Sequence, residues 1–301
     1  MANSVRTAVG PPPLASLSQQ WEQLERSSRS PVLVRDGERR LRAWGPPERP
    51  FVVGVEPDGG RWQVEGWGCT PAQARRAVRE MFSLDNPLEQ FYRRTRSEPL
   101  LQGTESRFRG LRLPRDASPY EALLHSIIGQ QLSVASANAL KQRLLERYGQ
   151  VVEAGRIEVP VVPSPRTLVA AGATGLRSLG LSRAKSAALV GVAFEEPRAR
   201  SARWLCRVPL ETARLHLEQL RGVGRWTAEN ALLRGAGRRD VFVAGDLGVR
   251  VALERFGGLS RSAPEERARE WAERHYPGWG SYATLYLWRK LVAENASDEA
   301  G

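Results

Sequence analysis

Lysine is nearly absent from this chain. Only three of its 45 basic residues are lysine, Lys141, Lys185 and Lys290, so the basic surface is built from arginine. Histidine is equally sparse: His125, His216 and His275 are scattered, and each fits a surface or core role better than a ligand role. The two cysteines, Cys69 and Cys206, lie far apart and are too few for an iron–sulfur cluster or a four-cysteine zinc site. They fit reduced thiols in the cytoplasm, and no metal centre built from side chains is expected. Long apolar runs are also missing. The N-terminus carries no apolar signal core and nothing approaches a membrane span, so the expected location is cytoplasmic.

Positive charge is what the chain has in excess. Against 33 acidic residues the balance gives a formal net charge of +12. A GC-rich coding sequence explains arginine in place of lysine, but not the excess itself, which favours a polyanionic partner such as DNA, RNA or an anionic membrane surface. At 301 residues there is length for a well-buried core and for two domains.

The pattern divides the chain. Residues 1–30 read as a polar tail carrying Pro11-Pro12-Pro13 and one short helix near Trp21. Short runs rich in β-branched and aromatic residues follow at 31–34, 41–44, 51–55 and 62–67, the last two joined through the turn signal Pro57-Asp58-Gly59-Gly60. Thr70-Pro71-Ala72-Gln73 opens a helix as a capping box. Residues 31–95 are therefore expected to form a small α+β domain with an antiparallel sheet. Residues 96–117 lead into the helical part as a linker and first helix, 118–295 form an all-α domain, and 296–301 are a tail. Ser118-Pro119-Tyr120-Glu121 reads as a second capping box, and Ser133 and Ser164 cap further helices. No internal repeat of a solenoid kind is present.

The segment most open to chemical interpretation is Leu220-Arg221-Gly222-Val223-Gly224-Arg225-Trp226-Thr227-Ala228. Two glycines one residue apart between helical patterns make a tight hairpin whose main-chain N–H groups can cup a phosphate, with Arg221 and Arg225 on either side. The same pattern also serves as a plain helix–helix turn. Asp246 follows in an apolar, glycine-rich stretch. It is a favoured N-cap for the helix that begins there, and the same place allows a fixed anion beside a bound nucleotide.

Four segments carry a resemblance when taken in order: Ser118-Pro-Tyr-Glu-Ala-Leu-Leu-His-Ser-Ile-Ile-Gly-Gln-Gln-Leu-Ser, Leu176-Arg-Ser-Leu-Gly-Leu-Ser-Arg-Ala-Lys, the Leu220–Ala228 hairpin, and Phe242-Val-Ala-Gly-Asp-Leu-Gly. Together they resemble the helix-hairpin-helix (HhH-GPD) DNA glycosylase superfamily, and within it the bacterial 3-methyladenine DNA glycosylase II type. The resemblance covers about two-thirds of the chain well. It implies a monofunctional glycosylase that flips alkylated purines, of the 3-methyladenine and 7-methylguanine kind, from double-stranded DNA and hydrolyses the glycosidic bond. No cofactor is required, and the protein acts as a monomer.

By the same resemblance Asp246 is the catalytic acid, stabilising an oxocarbenium-like sugar as the base departs. Trp226 stands where strand-cutting relatives carry a Schiff-base lysine, which implies base removal without lyase activity. Trp226 and Trp288 are implied as aromatic walls of the base pocket. Leu247, Asn230 and Arg289 stand where the family's best-known pattern has aromatics, so a less aromatic pocket is expected. The implied DNA-binding residues are Arg221, Gly222, Val223, Gly224, Arg225 and Thr227 at the hairpin and Gln130, Gln131, Leu132 and Ser133 at a wedge turn, with Gln131 intercalating. Main-chain carbonyls of Glu218, Leu220 and Val223 are implied to hold a structural monovalent cation, Na+ or K+. Two alternatives stay open on sequence: a non-catalytic helix-hairpin-helix DNA-binding protein, and a glycosylase for uracil or another deaminated base.

Overall fold

The structure is a computed structural model that describes residues 4–10, 16–28, 32–96, 98, 107–195 and 201–298. The Pro11–Pro13 run, most of the 97–106 part of the expected linker and the last three residues of the expected C-terminal tail lie outside the described residues.

Five antiparallel strands form one sheet in the order β1-β5-β4-β3-β2. They are β1 (Ser4–Val9), β2 (Leu33–Asp36), β3 (Arg39–Trp44), β4 (Phe51–Asp58) and β5 (Arg61–Trp67). The expected strands and the β4–β5 turn are all present, and Gly59 and Gly60 take the positive φ values of +50° and +85° that this turn needs. The expected polar tail is corrected: β1 pairs with β5 from Ser4↔Trp67 to Val9↔Trp62. An edge strand bonded on one side to a partner some sixty residues away leaves little local signature. The same stretch holds α1 (Leu17–Ser28), the helix expected near Trp21.

Both faces of the sheet are covered. On one, Val53, Val55, Trp62 and Val64 pack against α1 and α2 (Pro71–Met81), with Trp21 and Phe82 meeting edge to face at 5.0 Å between ring centroids. α2 starts as expected, with Gln73 N–H donating to the Thr70 hydroxyl and Thr70 N–H to the Gln73 side chain. On the other face, Leu41, Ala43, Val52 and Trp67 pack against Ala154, Val159 and Val161 of a hairpin formed by β6 (Gln150–Ala154) and β7 (Ile157–Val161). The stretch 118–295 is therefore not all-α. Gly155, at φ +68°, turns the hairpin, and burial of Val159 and Val161 contributes about 1.5–3 kcal/mol each.

The remaining helices are α3 (Leu88–Thr95), α4 (Pro119–Gly129), α5 (Val134–Tyr148), α6 (Pro165–Arg177), α7 (Arg183–Glu195), α8 (Ala202–Arg207), α9 (Leu210–Glu218), α10 (Arg225–Asn230), α11 (Leu247–Gly257), α12 (Glu265–His275) and α13 (Gly280–Asp298). One large apolar core joins them. Serines 118, 133 and 164 accept the N–H groups of Glu121, Ser136 and Thr167, as N-caps should. The second capping box is only half formed, because the Glu121 carboxylate takes the Ala117 N–H and the Arg42 guanidinium instead of the Ser118 N–H. Beyond Asn230, α10 widens into one π-helical turn, Ala231–Ala236. There Gly235 lies so close to α4 that a Cβ would sit 2.5 Å from Pro119 Cα.

That π turn aims Arg234 into a buried ionic cluster. Arg42 of β3 pairs with Asp116 at 3.3 Å and Glu121 at 2.9 Å, and Arg234 reaches Asp116 at 2.9 Å. Burial opposes the charge of Asp116, yet Arg234 and His125 hold its carboxyl well below the usual carboxylate range. Asp116, Glu121 and His125 are mutually close enough to be considered as a metal triad, a side-chain cluster that the scattered histidines did not suggest. The arginines already neutralise its carboxylates, and Lys141 lies beside it with a pKa pushed down to about 8, first by burial and then by Arg234. The donor set therefore suits ion pairing within the protein better than a bound cation.

Candidate active site

The hairpin joins α9 to α10. Gly222 takes φ +82°, and a Cβ there would stand 2.4 Å from the Ala188 Cβ of α7, so both backbone conformation and packing require glycine. Gly224 differs: it precedes α10 as an extended N-cap, and a Cβ would meet nothing within 4 Å. Its surroundings are open, as an approach by another molecule demands. Val223 is buried and its N–H closes the turn onto the Leu220 carbonyl at 3.0 Å. Arg221 is exposed. Arg225 is committed elsewhere, donating to Glu229 at 3.0 Å and lying 3.7 Å from Glu211. Burial outweighs this pairing and pushes the Glu229 carboxyl up.

Asp246 is the N-cap of α11, with Oδ1 accepting the Val249 N–H at 3.1 Å. Two indoles complete its hold. Trp288 Nε1 donates to Oδ1 at 2.8 Å and Trp226 Nε1 donates to Oδ2 at 3.2 Å. Both carboxylate oxygens are thus oriented by residues 20 and 42 positions away, and Asp246 is half-buried. Gly248 makes this possible, since a Cβ there would come within 3.2 Å of Asp246 Oδ1 and 3.3 Å of the Trp288 ring. The side chain of Leu247 is exposed next to the acid. Asn230 is buried, and its amide donates to the Trp226 carbonyl at 2.9 Å, so it braces the helix behind Trp226. Arg289 turns away, over the Phe108 ring and toward Glu22.

The α4–α5 turn comes to the same surface. Gln130 donates through Nε2 to the Gly222 carbonyl at 3.2 Å and to the Thr227 hydroxyl at 2.9 Å, which docks the turn on the hairpin. Thr227 is buried and serves this bond. Gln131 is exposed at φ +53°, a left-handed conformation that costs a non-glycine residue about 1 kcal/mol. Leu132 and Ser133 are exposed beside it.

A hairpin, a wedge-like turn and an acid gripped by two indoles thus share one region. The family model described as HhH-GPD superfamily base excision DNA repair protein matches residues 124–277, half of the chain, and spans α4 through α12. This chain belongs to the HhH-GPD superfamily. Among curated relatives, DNA-3-methyladenine glycosylase of Bacillus subtilis is 30% identical over 71% of this chain and 71% of its own. DNA-3-methyladenine glycosylase 2 of Escherichia coli is 34% identical over 60% of each chain. The solved 3-methyladenine DNA-glycosylase from Archaeoglobus fulgidus superposes with a TM-score of 0.81 at 28% identity, covering 96% of this chain and 98% of that one. The HhH-GPD segment therefore carries both the hairpin and Asp246, and the likeness to the archaeal enzyme extends over the N-terminal sheet.

Three participants escaped sequence reading. Gly248 is visible only as a glycine in the first turn of a helix. Lys185 donates to the Ile128 and Gln130 carbonyls at 2.9 and 2.6 Å. Arg269 of α12 bridges Glu229 and Glu265, at 3.0 and 2.7 Å, and Glu265 lies against Gly245 beside the acid. Nothing in the spacing of these charges announces that they meet.

Proposed function

We propose that this protein is a monofunctional DNA glycosylase that excises alkylated purines, such as 3-methyladenine and 7-methylguanine, from double-stranded DNA. The carrying observation is the Asp246 carboxylate fixed by Trp226, Trp288 and the start of α11. An anion already oriented needs no reorganisation as positive charge grows on the deoxyribose, which is where electrostatic catalysis is strongest. Alkylation at N3 or N7 makes the base cationic and a neutral leaving group, so one acid suffices and water completes the hydrolysis. Each indole gives its N–H to the acid and keeps its π face for a flipped cationic base, worth about 0.5–2 kcal/mol per contact.

The lysines support base removal without strand cleavage. Lys141 is buried by the ionic cluster, Lys185 bonds two carbonyls of the α4–α5 turn, and Lys290 lies 4.7 Å from the Phe256 ring. None of these ammonium groups is placed on Asp246. The hairpin would position the phosphate backbone without reading sequence, through its main-chain N–H groups and Arg221, while Gln131 would fill the space left by the flipped base. The carbonyls of Glu218, Leu220 and Val223 remain the proposed holders of a monovalent cation. The Leu220 oxygen, which accepts one N–H, keeps a lone pair for it. Such an ion would add positive charge at the phosphate grip.

A base-release panel tests the assignment. Release of 3-methyladenine and 7-methylguanine well above uracil and hypoxanthine, with no borohydride-trapped protein–DNA adduct, is expected. Preferential uracil release would replace the substrate class, and a trapped adduct would overturn the monofunctional mechanism.

A further inference from the structure

The Leu176–Lys185 segment is distinctive in sequence, yet hairpin, acid and wedge leave it without a task. Its position gives it one. α7 begins at Arg183, immediately after the Leu179-Gly180-Leu181-Ser182 turn, and Ser182 caps its first turn by accepting the Lys185 N–H at 3.2 Å. From that first turn the Lys185 ammonium reaches the end of α4 and bonds the carbonyls of Ile128 and Gln130 at 2.9 and 2.6 Å. These are the carbonyls that a helix C-terminus leaves without intrahelical partners, and they carry the negative end of its dipole. The residue between Gln130 and Leu132 is the strained Gln131.

The same helix supports the hairpin. Ala188 is three residues beyond Lys185, hence on the same face, and its Cβ is what forbids a side chain at Gly222. A Cβ at Gly191, a further three residues on, would stand 3.8 Å from the Arg221 Cβ, so the helix runs close behind the hairpin there too. A return contact closes the arrangement: Arg143 of α5 donates to the Leu179 carbonyl at 2.7 Å, just ahead of α7. One face of α7 therefore touches both DNA-facing turns, through an ion–dipole contact at one and close packing at the other.

We propose that Lys185 is a positioning residue that fixes the α4–α5 turn against α7, so that Gln131 enters the duplex in register with the hairpin's hold on the phosphates. This rests on the wedge assignment of Gln131. The ammonium satisfies carbonyls that would otherwise let the turn relax out of its left-handed conformation. Its contribution is to opening a paired base, not to breaking the glycosidic bond.

Single-turnover excision of 7-methylguanine separates these steps, using one duplex with the lesion paired to cytosine and another with it opposite an abasic site. Lys185→Met keeps the aliphatic stem and removes the donors. The paired substrate should be processed about 10-fold more slowly, and the substrate that needs little opening should stay within about 2-fold of the unaltered protein. Gln131→Ala should show the same selectivity, and Lys185→Arg should recover most of the loss. Equal losses on both substrates, or no loss on either, would overturn the positioning role. If Gln131→Ala shows no paired-selective loss, the wedge assignment fails, and the role of Lys185 falls with it. A loss in Gln131→Ala that Lys185→Met does not share overturns the role of Lys185 alone.

Discussion

Asp246 shows how much one residue can owe to others that sequence leaves far away. Its place as an N-cap is written in the glycine-rich approach and the helical pattern that follows. Its two indole donors are not, because a tryptophan at helical spacing looks the same whether it packs in the core or hydrogen-bonds a carboxylate. Gln131 carries a second lesson, since nothing local marks it as left-handed. Glycine would adopt φ +53° without strain. Gln131→Gly should therefore raise unfolding stability by roughly 0.5–1 kcal/mol in urea titration, while base excision from paired duplex falls. A protein that became less stable on that change would show that Gln131 makes contacts beyond its backbone conformation.

Elements were legible where their signals are local. The capping serines, the Pro57–Gly60 turn and the Thr70 box fall where the pattern put them. β1 and the β6–β7 hairpin did not declare themselves, because their partners are distant strands and the far face of the sheet. The Ser118 box failed for a related reason: Glu121 is drawn to Arg42, some 80 residues earlier. α5 offers a pH test of this cluster. Burial, then the Arg234 charge, push the Lys141 ammonium from an ordinary 10.5 down to about 8 in the folded chain, so the unfolded state binds more protons between these values. Stability should thus rise with pH across that window, by an amount on the order of 2–3 kcal/mol. The Lys141→Met variant should lack this rise when midpoints are compared from pH 7 to 10. Parallel profiles would contradict the burial of a strained ammonium at this site.

At the scale of the whole molecule, the basic surplus suits a polyanionic partner such as DNA. The four motif segments made the helical fold legible, whereas the joint between sheet and helices was not. Beside the apolar contact of the sheet with the β6–β7 hairpin, that joint has an ionic part, with Arg42 of β3 meeting Asp116 and Glu121. Removing one partner strands buried charge, so Arg42→Met should lower unfolding stability by about 3–5 kcal/mol in urea titration. A change below about 1 kcal/mol would mean that the cluster adds nothing to the joint beyond its apolar packing.

Negative charge on the fixed carboxylate is what the proposed chemistry depends on, and Asp246→Asn, assayed on methylated duplex DNA, removes that charge. Asparagine keeps the shape, removes the charge and replaces one indole acceptor with a donor. The single-turnover rate of alkali-labile abasic-site formation should fall about 100-fold or more, with affinity for undamaged duplex within about 3-fold. A variant that forms abasic sites at a rate within a few-fold of the unaltered protein would contradict the assignment of Asp246 as the group that stabilises the sugar cation.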